Sequence, residues 1–428
     1  MGVVGLPTTL NNLSGGSAVI RKFSTELRRK AVPSDFYTAL RGEDVIYKGQ
    51  TIQIPDKIYT KIKASDSAGA NNVRVTLKMP LNGNILRGRA IAMGTEIQPI
   101  IKTGTIYRNN YRFVVQDEPG YGEDKLDAQP YRLYQEHVND LSQHAKAEEG
   151  LEIRMALVES NGWNLQAGST AATCPAQWNR NFYVIGCPTA LQPTFHPNAA
   201  TYTNRIVSAI QTAAGGPGAN FIQTAAQMTT CNDLDNIIRW AFRRRMMPMT
   251  LNGRSGFVLS MSQLGAQRFS DPAFTDSLGA RWSSVQRFTG AVDVQIWHGL
   301  IGKYEGPSAT IWVTVDDRLP TLIPTGTGEP FGLAAGYVWP TDSDLRQLEG
   351  TTTRDAMILH GMGAVVNWDA EPMHLIQQDW DYNIRNGKGY AGVRGIQQLQ
   401  YDNTPADPTG AAREYFGSAV IVAGRQEG

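Results

Sequence analysis

Two acidic residues, Asp316 and Asp317, are the first candidates for chemistry in this sequence. They end a strand-like run that reads IWVTVDDRLP. Carboxylate pairs at strand ends bind Mg²⁺ in phosphoryl-transfer enzymes. The sequence around them has neither a phosphate-binding loop nor a catalytic lysine, so we interpret the pair as a strand-end turn. An α+β enzyme with a site near Asp316 and Asp317 stays open as an alternative.

A second candidate is a glycine-rich segment that contains Gly326, Gly328 and Gly332. Its spacing approaches the G-x-G-x-x-G pattern of dinucleotide-binding loops without matching it, and Pro330 stands where the helix should begin. The P-loop, zinc-protease and nucleophile-elbow motifs are also missing from the sequence. We therefore interpret this segment as a loop and predict that the protein uses no cofactor.

The histidines do not form a recognisable set of metal ligands. None pairs with another histidine or with a carboxylate at a spacing typical of a metal site. His137 and His144 are seven residues apart on a predicted helix. They would lie about 10 Å from each other, which is too far to bind the same ion. The six histidines are His137, His144, His196, His298, His360 and His374.

The cysteines Cys174, Cys187 and Cys231 are an odd number and show no C-x-x-C spacing. This pattern argues against a disulfide framework and against a structural zinc site. Neither Cys187 nor Cys231 has a basic neighbour that would favour a reactive thiolate. We predict free thiols, and we predict no catalytic, cofactor-binding or metal-binding residue in the chain.

Composition and charge exclude further classes of protein. The chain has 428 residues, of which 41% are hydrophobic and 18% charged, and its 40 basic against 39 acidic residues give a net charge of +1. A protein whose main task was to bind nucleic acid would carry a basic excess. No run approaches 18 apolar residues, and the N-terminus lacks a signal-peptide pattern, so we predict neither membrane insertion nor export.

One long amphipathic helix must position the other elements. Apolar residues recur at helical spacing between charged ones. They are Tyr134, Val138, Leu141, Ala145 and Met155. The pattern predicts a helix from about Ala128 to Ser160, with Pro130 in its first turn and a bend or break near Gly150, because glycine weakens a helix interior. On periodicity alone, a surface helix with one buried stripe explains the pattern as well.

The chain before this helix is predicted to be an arm followed by strands. Residues 1–18 read as an extended arm, and residues 19–40 as a helical segment whose basic cluster is either a docking site or a solvated face. Strands are predicted at 52–54, 73–79 and 106–115, with a hairpin turn at Asn82-Gly83. The part around Lys61 and Lys63 reads as polar on both faces.

The chain after the long helix alternates strands and short helices without a βαβ rhythm, which indicates an α+β fold. Helices are predicted at 202–213 and 234–241, the second with Asn232 or Asp233 as its N-cap. Strands are predicted at 182–185, 257–261, 292–297, 309–315, 336–339, 357–368 and 390–399.

Taken in order, these features resemble the HK97-like major capsid proteins of tailed bacteriophages, and within that group the family typified by phage N4. The likeness covers roughly residues 19–402 and is carried by the order of its segments. These are 81–96 (LNGNILRGRAIAMGTE), 106–112, 131–158, 236–248, 297–306 (WHGLIGKYEG), 360–364 (HGMGA), 380–382 (WDY) and 392–398. The sequence departs from the family's pattern at Met261-Ser262, at Gly395 to Gln398 and in the tail after residue 402.

The resemblance implies an HK97-like α+β capsid fold with five parts. These are an N-terminal arm (1–43), an extended β-hairpin loop, or E-loop, with adjoining strands (44–116), a peripheral domain with the long spine helix (117–200), an axial domain with flanking strands (201–375), and return strands of the peripheral domain with a C-terminal tail (376–428).

The resemblance also implies that the protein is a structural subunit and not an enzyme. Such a subunit assembles in the host cytoplasm into hexamers and pentamers of an icosahedral head around double-stranded DNA. Its expected partners are other copies of itself through arm and E-loop, the portal protein, and weakly held DNA, with scaffolding and decoration proteins as further candidates. We expect no covalent crosslink through Lys61 or Lys63. A β-rich binding or tail protein is the other structural alternative.

Overall fold

A computed structural model gives the fold of the chain. It describes residues 26–27, 30, 36–47, 52–53, 57–64, 72–78, 101–116, 130–159, 182–184, 231–251, 253–267, 269, 271–284, 297–316, 318–319, 321–322, 337–338, 354–380, 385–401 and 414–424.

The described residues form five α-helices of four or more residues and twenty strands. The helices are α1 Phe36–Ala39, α2 Pro130–Glu159, α3 Cys231–Arg243, α4 Gln263–Gln267 and α5 Pro272–Leu278. The first ten strands are β1 Val45–Tyr47, β2 Ile52–Gln53, β3 Tyr59–Ala64, β4 Asn72–Lys78, β5 Ile101–Tyr107, β6 Asn109–Gln116, β7 Phe182–Val184, β8 Met249–Leu251, β9 Arg254–Met261 and β10 Trp282–Ser284. The others are β11 Leu300–Glu305, β12 Thr310–Val315, β13 Thr321–Leu322, β14 Tyr337–Val338, β15 Arg354–His360, β16 Val365–Trp380, β17 Arg385–Gln398, β18 Gln400–Tyr401, β19 Glu414–Tyr415 and β20 Ser418–Gly424.

Helix α2 confirms the predicted long helix to within two residues at each end. It has 30 residues and begins at Pro130, so it is about 45 Å long. Leu, Ala, Glu, Lys, Arg and Gln dominate its sequence, and these residues lose little side-chain freedom in a helix. The helix continues through Gly150 without the break that the sequence allowed.

The N-terminal half of α2 packs on a five-stranded sheet with the order β1-β3-β16-β17-β6. Val138, Leu141 and Ala145, three of the predicted apolar positions, are buried in one cluster with Leu375 and Tyr390 of the β16–β17 hairpin. The side chains of the other two predicted positions, 134 and 155, lie outside the described residues.

The prediction that the region around Lys61 and Lys63 is polar on both faces is wrong. Strand β3 is an interior strand of the five-stranded sheet, parallel to β1 and to β16. Tyr59 and Ile62 on this strand are buried in apolar clusters. The wrong prediction came from the two lysines that flank the buried isoleucine. Lysine can pack its aliphatic stem within a sheet while its charged end lies at the rim, so these lysines do not make both faces of the strand polar.

The C-terminal half of α2 packs on a second, ten-stranded sheet. Its main path is β10-β11-β12-β9-β15-β13-β14, with β20 and β7 added beside β15 and β8 beside β9. Because side chains alternate across a strand, Phe257 and Leu259 of β9 face the helices α3 to α5, whereas Val258 faces the opposite side. On that opposite side, Ile153 and Leu157 of α2 share the buried cluster with Val258.

Strands β2, β4 and β5 form a separate three-stranded sheet. The predicted alternation in β4 is confirmed, because its apolar residues are buried and its arginine is exposed. The predicted strand 106–115 is wrong as a single element: Arg108 separates β5, which pairs with β4, from β6, which pairs with β17. The predicted hairpin turn Asn82-Gly83 lies outside the described residues.

Other predicted elements need correction. The predicted strand 357–368 is two strands, because the chain turns at residues 361–364, where Gly363 has a φ of 64°. Helix α3 begins at Cys231, so Asn232 and Asp233 lie in its first turn and are not its N-cap. The predicted strands at 257–261, 309–315 and 390–399 are confirmed as β9, β12 and part of β17. The predicted helix 202–213 and residues 292–296 lie outside the described part of the chain.

Helix α3 ends in a Schellman motif that contains a non-glycine residue in the left-handed region. The N–H of Met246 donates to the carbonyl of Ala241, and the N–H of Arg245 donates to that of Phe242, both at 2.9 Å. Arg245 has a φ of 57°. A side chain at this position costs conformational energy that glycine would avoid.

Candidate functional site

Asp316, the first candidate for chemistry, forms a buried ion pair with the long helix. The Nε of Arg154 donates to both carboxylate oxygens, at 2.9 and 2.7 Å. Only 3% of Arg154 and 5% of Asp316 are exposed. The Nη1 of Arg154 donates to the carbonyl of Gly150 at 2.7 Å, and its guanidinium lies over the ring of Tyr37. This ion pair therefore links α2 to Asp316, the residue that directly follows β12.

These contacts leave Asp316 without a free oxygen directed at solvent. The backbone N–H of Arg318 also donates to one of its oxygens, at 3.3 Å. Asp317 and the glycine segment 326–332 lie outside the described residues. Within the described part of the chain, no group of three or more His, Cys, Asp or Glu residues could hold a metal ion.

Ser260 and His360 form a second buried pair, which the sequence did not suggest. The Ser260 hydroxyl and the His360 Nε2 are 2.9 Å apart, and both side chains are fully buried. The rings of Phe36 and Tyr37 pack edge-on against the imidazole. Burial lowers the pKa of His360 to about 3, with the positive charge of Arg154 as the second cause. The imidazole is therefore neutral, and no substrate could reach the hydroxyl.

A cluster centred on Arg394 of β17 connects α2 to the five-stranded sheet. The two guanidinium Nη atoms lie 2.6 Å from a Glu152 oxygen and 3.7 Å from a Glu149 oxygen. The Tyr59 hydroxyl donates to Glu149 at 3.0 Å, and the Asn367 amide donates to the same carboxylate at 3.1 Å. Buried charges are tolerated only with such partners, so this cluster fixes the helix at one place on the sheet.

Burial and charge shift the pKa values in the Arg394 cluster. Burial acts to lower the pKa of Arg394, but the neighbouring Glu152 and Glu149 carboxylates outweigh it and hold the pKa above its ordinary value. Burial raises the pKa of Glu152 and of Tyr111, on whose ring the guanidinium stacks at 4.2 Å. Arg394 therefore stays charged and Tyr111 stays protonated.

A cavity of about 540 Å³ lies beside this cluster, between α2 and the strands β6 and β17. His144, one of the two histidines that are seven residues apart on the predicted helix, stacks on Phe113 at 3.7 Å and hydrogen-bonds the Tyr390 hydroxyl at 2.9 Å. The side chain of His137 lies outside the described residues. His144 thus serves as a packing residue at the cavity wall.

The sequence contained one overlooked signal for the anchor of the long helix. Leu141, Ala145, Glu149, Ile153 and Leu157 are spaced four residues apart and are all buried. A glutamate in a buried row requires a buried cation. The identity of that cation could not be read from the sequence, because Arg394 is brought to Glu149 only by the fold.

The described surface also exposes five large apolar side chains. They are Ile46, Ile101, Val114, Val115 and Phe242. Ile46 and the two valines lie on β1 and β6, the edge strands of the five-stranded sheet. Edge strands present unpaired backbone groups that can accept another strand. No helix among the described residues is long and apolar enough to span a membrane.

Comparison with solved structures identifies the fold of the chain. The capsid of Ralstonia phage GP4 is similar to this chain with a TM-score of 0.57 and 10% identity, over 92% of each chain. The capsid asymmetric unit of cyanophage Pam1 is similar with a TM-score of 0.52 and 12% identity, over 89% of this chain and 90% of that one. No protein-family model and no curated protein matches the chain. The chain therefore has the α+β fold of these phage capsid proteins, as the sequence predicted.

Proposed function

We propose that this protein is the major capsid protein of a tailed bacteriophage, a structural subunit that assembles into hexamers and pentamers of an icosahedral head. The observation that carries the proposal is the extent of the structural likeness. It spans 92% of this chain and 92% of the Ralstonia phage GP4 capsid chain. A likeness of that extent covers most of the chain, whereas a shared module would cover only one sheet.

The internal anchors of the long helix support this proposal. Shell subunits must keep their shape while they contact several neighbours at once. The Arg394 cluster joins α2 to the five-stranded sheet, and the Arg154–Asp316 pair joins it to the end of β12. The charges of both sites are therefore paired within the subunit. A net charge of +1 also limits the repulsion between closely packed copies.

The finer features of this role are part of the proposal. They are the five-part division of the chain, membership of the N4-like family, assembly in the host cytoplasm, and contacts with portal, scaffolding, decoration proteins and packaged DNA. We also propose that the shell has no covalent crosslink. Lys61 lies 3.3 Å from Asp369 and Lys63 lies 2.6 Å from Asp44, so both amines already have partners.

Expression of the chain followed by size-exclusion chromatography and negative-stain imaging tests the proposed function. We expect rings, tubes or closed shells. A stable small oligomer with no larger assemblies would contradict the proposal. Particles boiled in denaturant should yield one band at 46.9 kDa on a gel. A ladder of heavier bands would overturn the absence of crosslinks alone.

The enzyme alternative can be tested with the same preparation. Asp316 and Asp317 are replaced together by asparagine, and assemblies formed by this variant would count against the enzyme. Because Asp316 pairs with the buried Arg154, we expect this variant to be less stable than the wild-type protein. A phosphatase or nucleotidase activity of the wild-type protein that disappears in a variant that still assembles would favour the enzyme.

A further inference from the structure

Helix α3 and the two residues that follow it carry a strongly basic surface. This arginine surface consists of Arg239, Arg243 and Arg245, all of them exposed. Arg239 and Arg243 are four residues apart, so they are neighbours on one face of the helix. Phe242, which lies between them in the sequence, packs edge-on against the buried Phe257 and so belongs to the rim of the core. Core packing therefore explains the phenylalanine and leaves the three positive charges unexplained.

The charges of the arginine surface are not neutralised within the described part of the chain. None of its three arginines forms an ion pair with a described residue, whereas Arg254 and Arg281, which are also exposed, both pair with carboxylates. Like charges four residues apart on a helix repel each other, so the arrangement costs stability in the free subunit. The whole chain has a net charge of only +1, so this concentration of positive charge is local.

The backbone gives a second sign that these charges serve a ligand. Arg245 lies in the left-handed region with a φ of 57°, a conformation that glycine would adopt without strain. The negative end of the helix dipole favours a cation in the last turn, which accounts for Arg243. It does not account for Arg239, a full turn earlier, or for an arginine in place of glycine at position 245. A strained residue that is kept on the surface points to a functional constraint.

A phosphate backbone is the ligand that fits this surface. Arg239 and Arg243 are about 6 Å apart along the helix axis, because each residue rises about 1.5 Å. Duplex DNA carries one negative charge per about 1.7 Å of its axis, so phosphates lie within reach of the arginines in any register. The guanidinium group binds a phosphate through paired hydrogen bonds. An acidic protein would instead have to place its carboxylates at three fixed positions.

We propose that the arginine surface binds the phosphate backbone of double-stranded DNA without reading its sequence. Each arginine then neutralises one phosphate and releases counterions, which makes the contact sensitive to salt. For three such contacts, the affinity should fall about 40-fold between about 50 and 200 mM salt. This inference rests on the proposed shell function, which supplies the DNA, and it requires this end of α3 to face the interior of the shell.

Fluorescence anisotropy of a short fluorescein-labelled DNA duplex, titrated with unassembled full-length subunits at several salt concentrations, tests the contact. The variant combines Arg239→Gln, Arg243→Gln and Arg245→Gln. We expect it to bind the duplex at least about tenfold more weakly than the wild-type protein at low salt. The slope of log K against log salt should also become smaller by about 2.7, because three phosphate contacts are lost.

A matched control removes the same number of charges from other exposed positions. It combines Arg74→Gln, Arg254→Gln and Arg281→Gln, so it has the same net charge as the first variant. We expect the control to keep the slope of the wild-type protein. Arg245→Gly alone should lower that slope by about 0.9, although glycine relieves the strain there and should make the subunit more stable. A purely structural role of Arg245 would not weaken DNA binding in a more stable protein.

The results separate this contact from the proposed function. Wild-type subunits that do not bind the duplex, or a first variant that binds it with wild-type affinity, would overturn the contact and leave the shell function standing. Equal losses in the first variant and the control would show that binding follows net charge, and would also overturn the contact. A first variant that binds DNA normally but no longer assembles would assign the surface to a protein partner instead. Wild-type subunits that bind DNA through these arginines but form no assemblies would contradict the shell function alone.

Discussion

Removing Asp316 should destabilise the subunit strongly, because it leaves a positive charge buried. In Asp316→Ala, Arg154 loses both contacts to the carboxylate, which are its contacts with a negative charge, and keeps its hydrogen bond to the carbonyl of Gly150 and its position over the ring of Tyr37. The guanidinium is almost fully buried, so water cannot replace the lost partner. Breaking one side of a buried ion pair costs about 3–5 kcal/mol. We expect the free energy of unfolding to fall by that amount.

Urea unfolding of unassembled subunits, followed by tryptophan fluorescence, measures this loss. The matched control removes both charges: Arg154→Met with Asp316→Leu should cost less than Asp316→Ala alone, because no charge is left unpaired. Asp316→Asn should fall between wild type and Asp316→Ala. The reasoning is refuted if Asp316→Ala costs less than about 1 kcal/mol, or if the double variant is as unstable as the sum of both single changes.

Three further predictions concern the backbone and a buried histidine. Arg245→Gly should raise the free energy of unfolding by about 0.5–1 kcal/mol, since glycine adopts the left-handed conformation without strain. Arg239→Gly, inside the same helix, should lower the free energy of unfolding by about 1 kcal/mol. The urea midpoints of the two variants and of the wild type measure both changes. The lowered pKa of His360 means that the unfolded chain binds a proton which the folded chain refuses. Its contribution to stability is therefore full above pH 6.5 and declines by at most about 1.4 kcal/mol per pH unit as the pH falls from 6.5 towards 3, and a shallower decline should be measured for His360→Gln. Gly389→Ala should destabilise the five-stranded sheet by about 1–3 kcal/mol, since the new Cβ would lie 2.1 Å from the Phe113 carbonyl oxygen, and an unchanged melting temperature would count against that close approach.

Elements that depend on a local pattern of residues could be predicted from the sequence. The long helix could be predicted because Val138, Leu141 and Ala145 repeat at its own period and Pro130 marks its start. Strand β4 could be predicted because apolar and polar residues alternate cleanly along it. The order of such elements along the chain was also enough to indicate the fold, although no single motif was specific.

Features that depend on distant partners could not be predicted. Nothing local divides β5 from β6 at Arg108, because the division follows from pairing with two different sheets. The anchor of the helix depends on Arg394, which follows Glu149 by 245 positions in the chain and meets it only after the β16–β17 hairpin has formed. Asp316 looked like a turn or a metal ligand because the sequence gives no sign that Arg154 would lie against it.

The position of the two anchors along the long helix has a mechanical consequence. Glu149, Glu152 and Arg154 hold a short part of α2 through buried ion pairs, while Val138, Leu141 and Ala145, nearer its N-terminus, pack in an apolar cluster. Apolar contacts tolerate small sliding movements, whereas a buried ion pair requires fixed geometry. The part of α2 from Pro130 to Glu149 is about 28 Å long, so a tilt of about 5° about the anchors would move its first residue by about 2.5 Å. In the proposed shell, where one sequence would occupy both pentamers and hexamers, a tilt of this part of the helix would let the subunit adapt to different curvatures while its buried ion pairs stay intact.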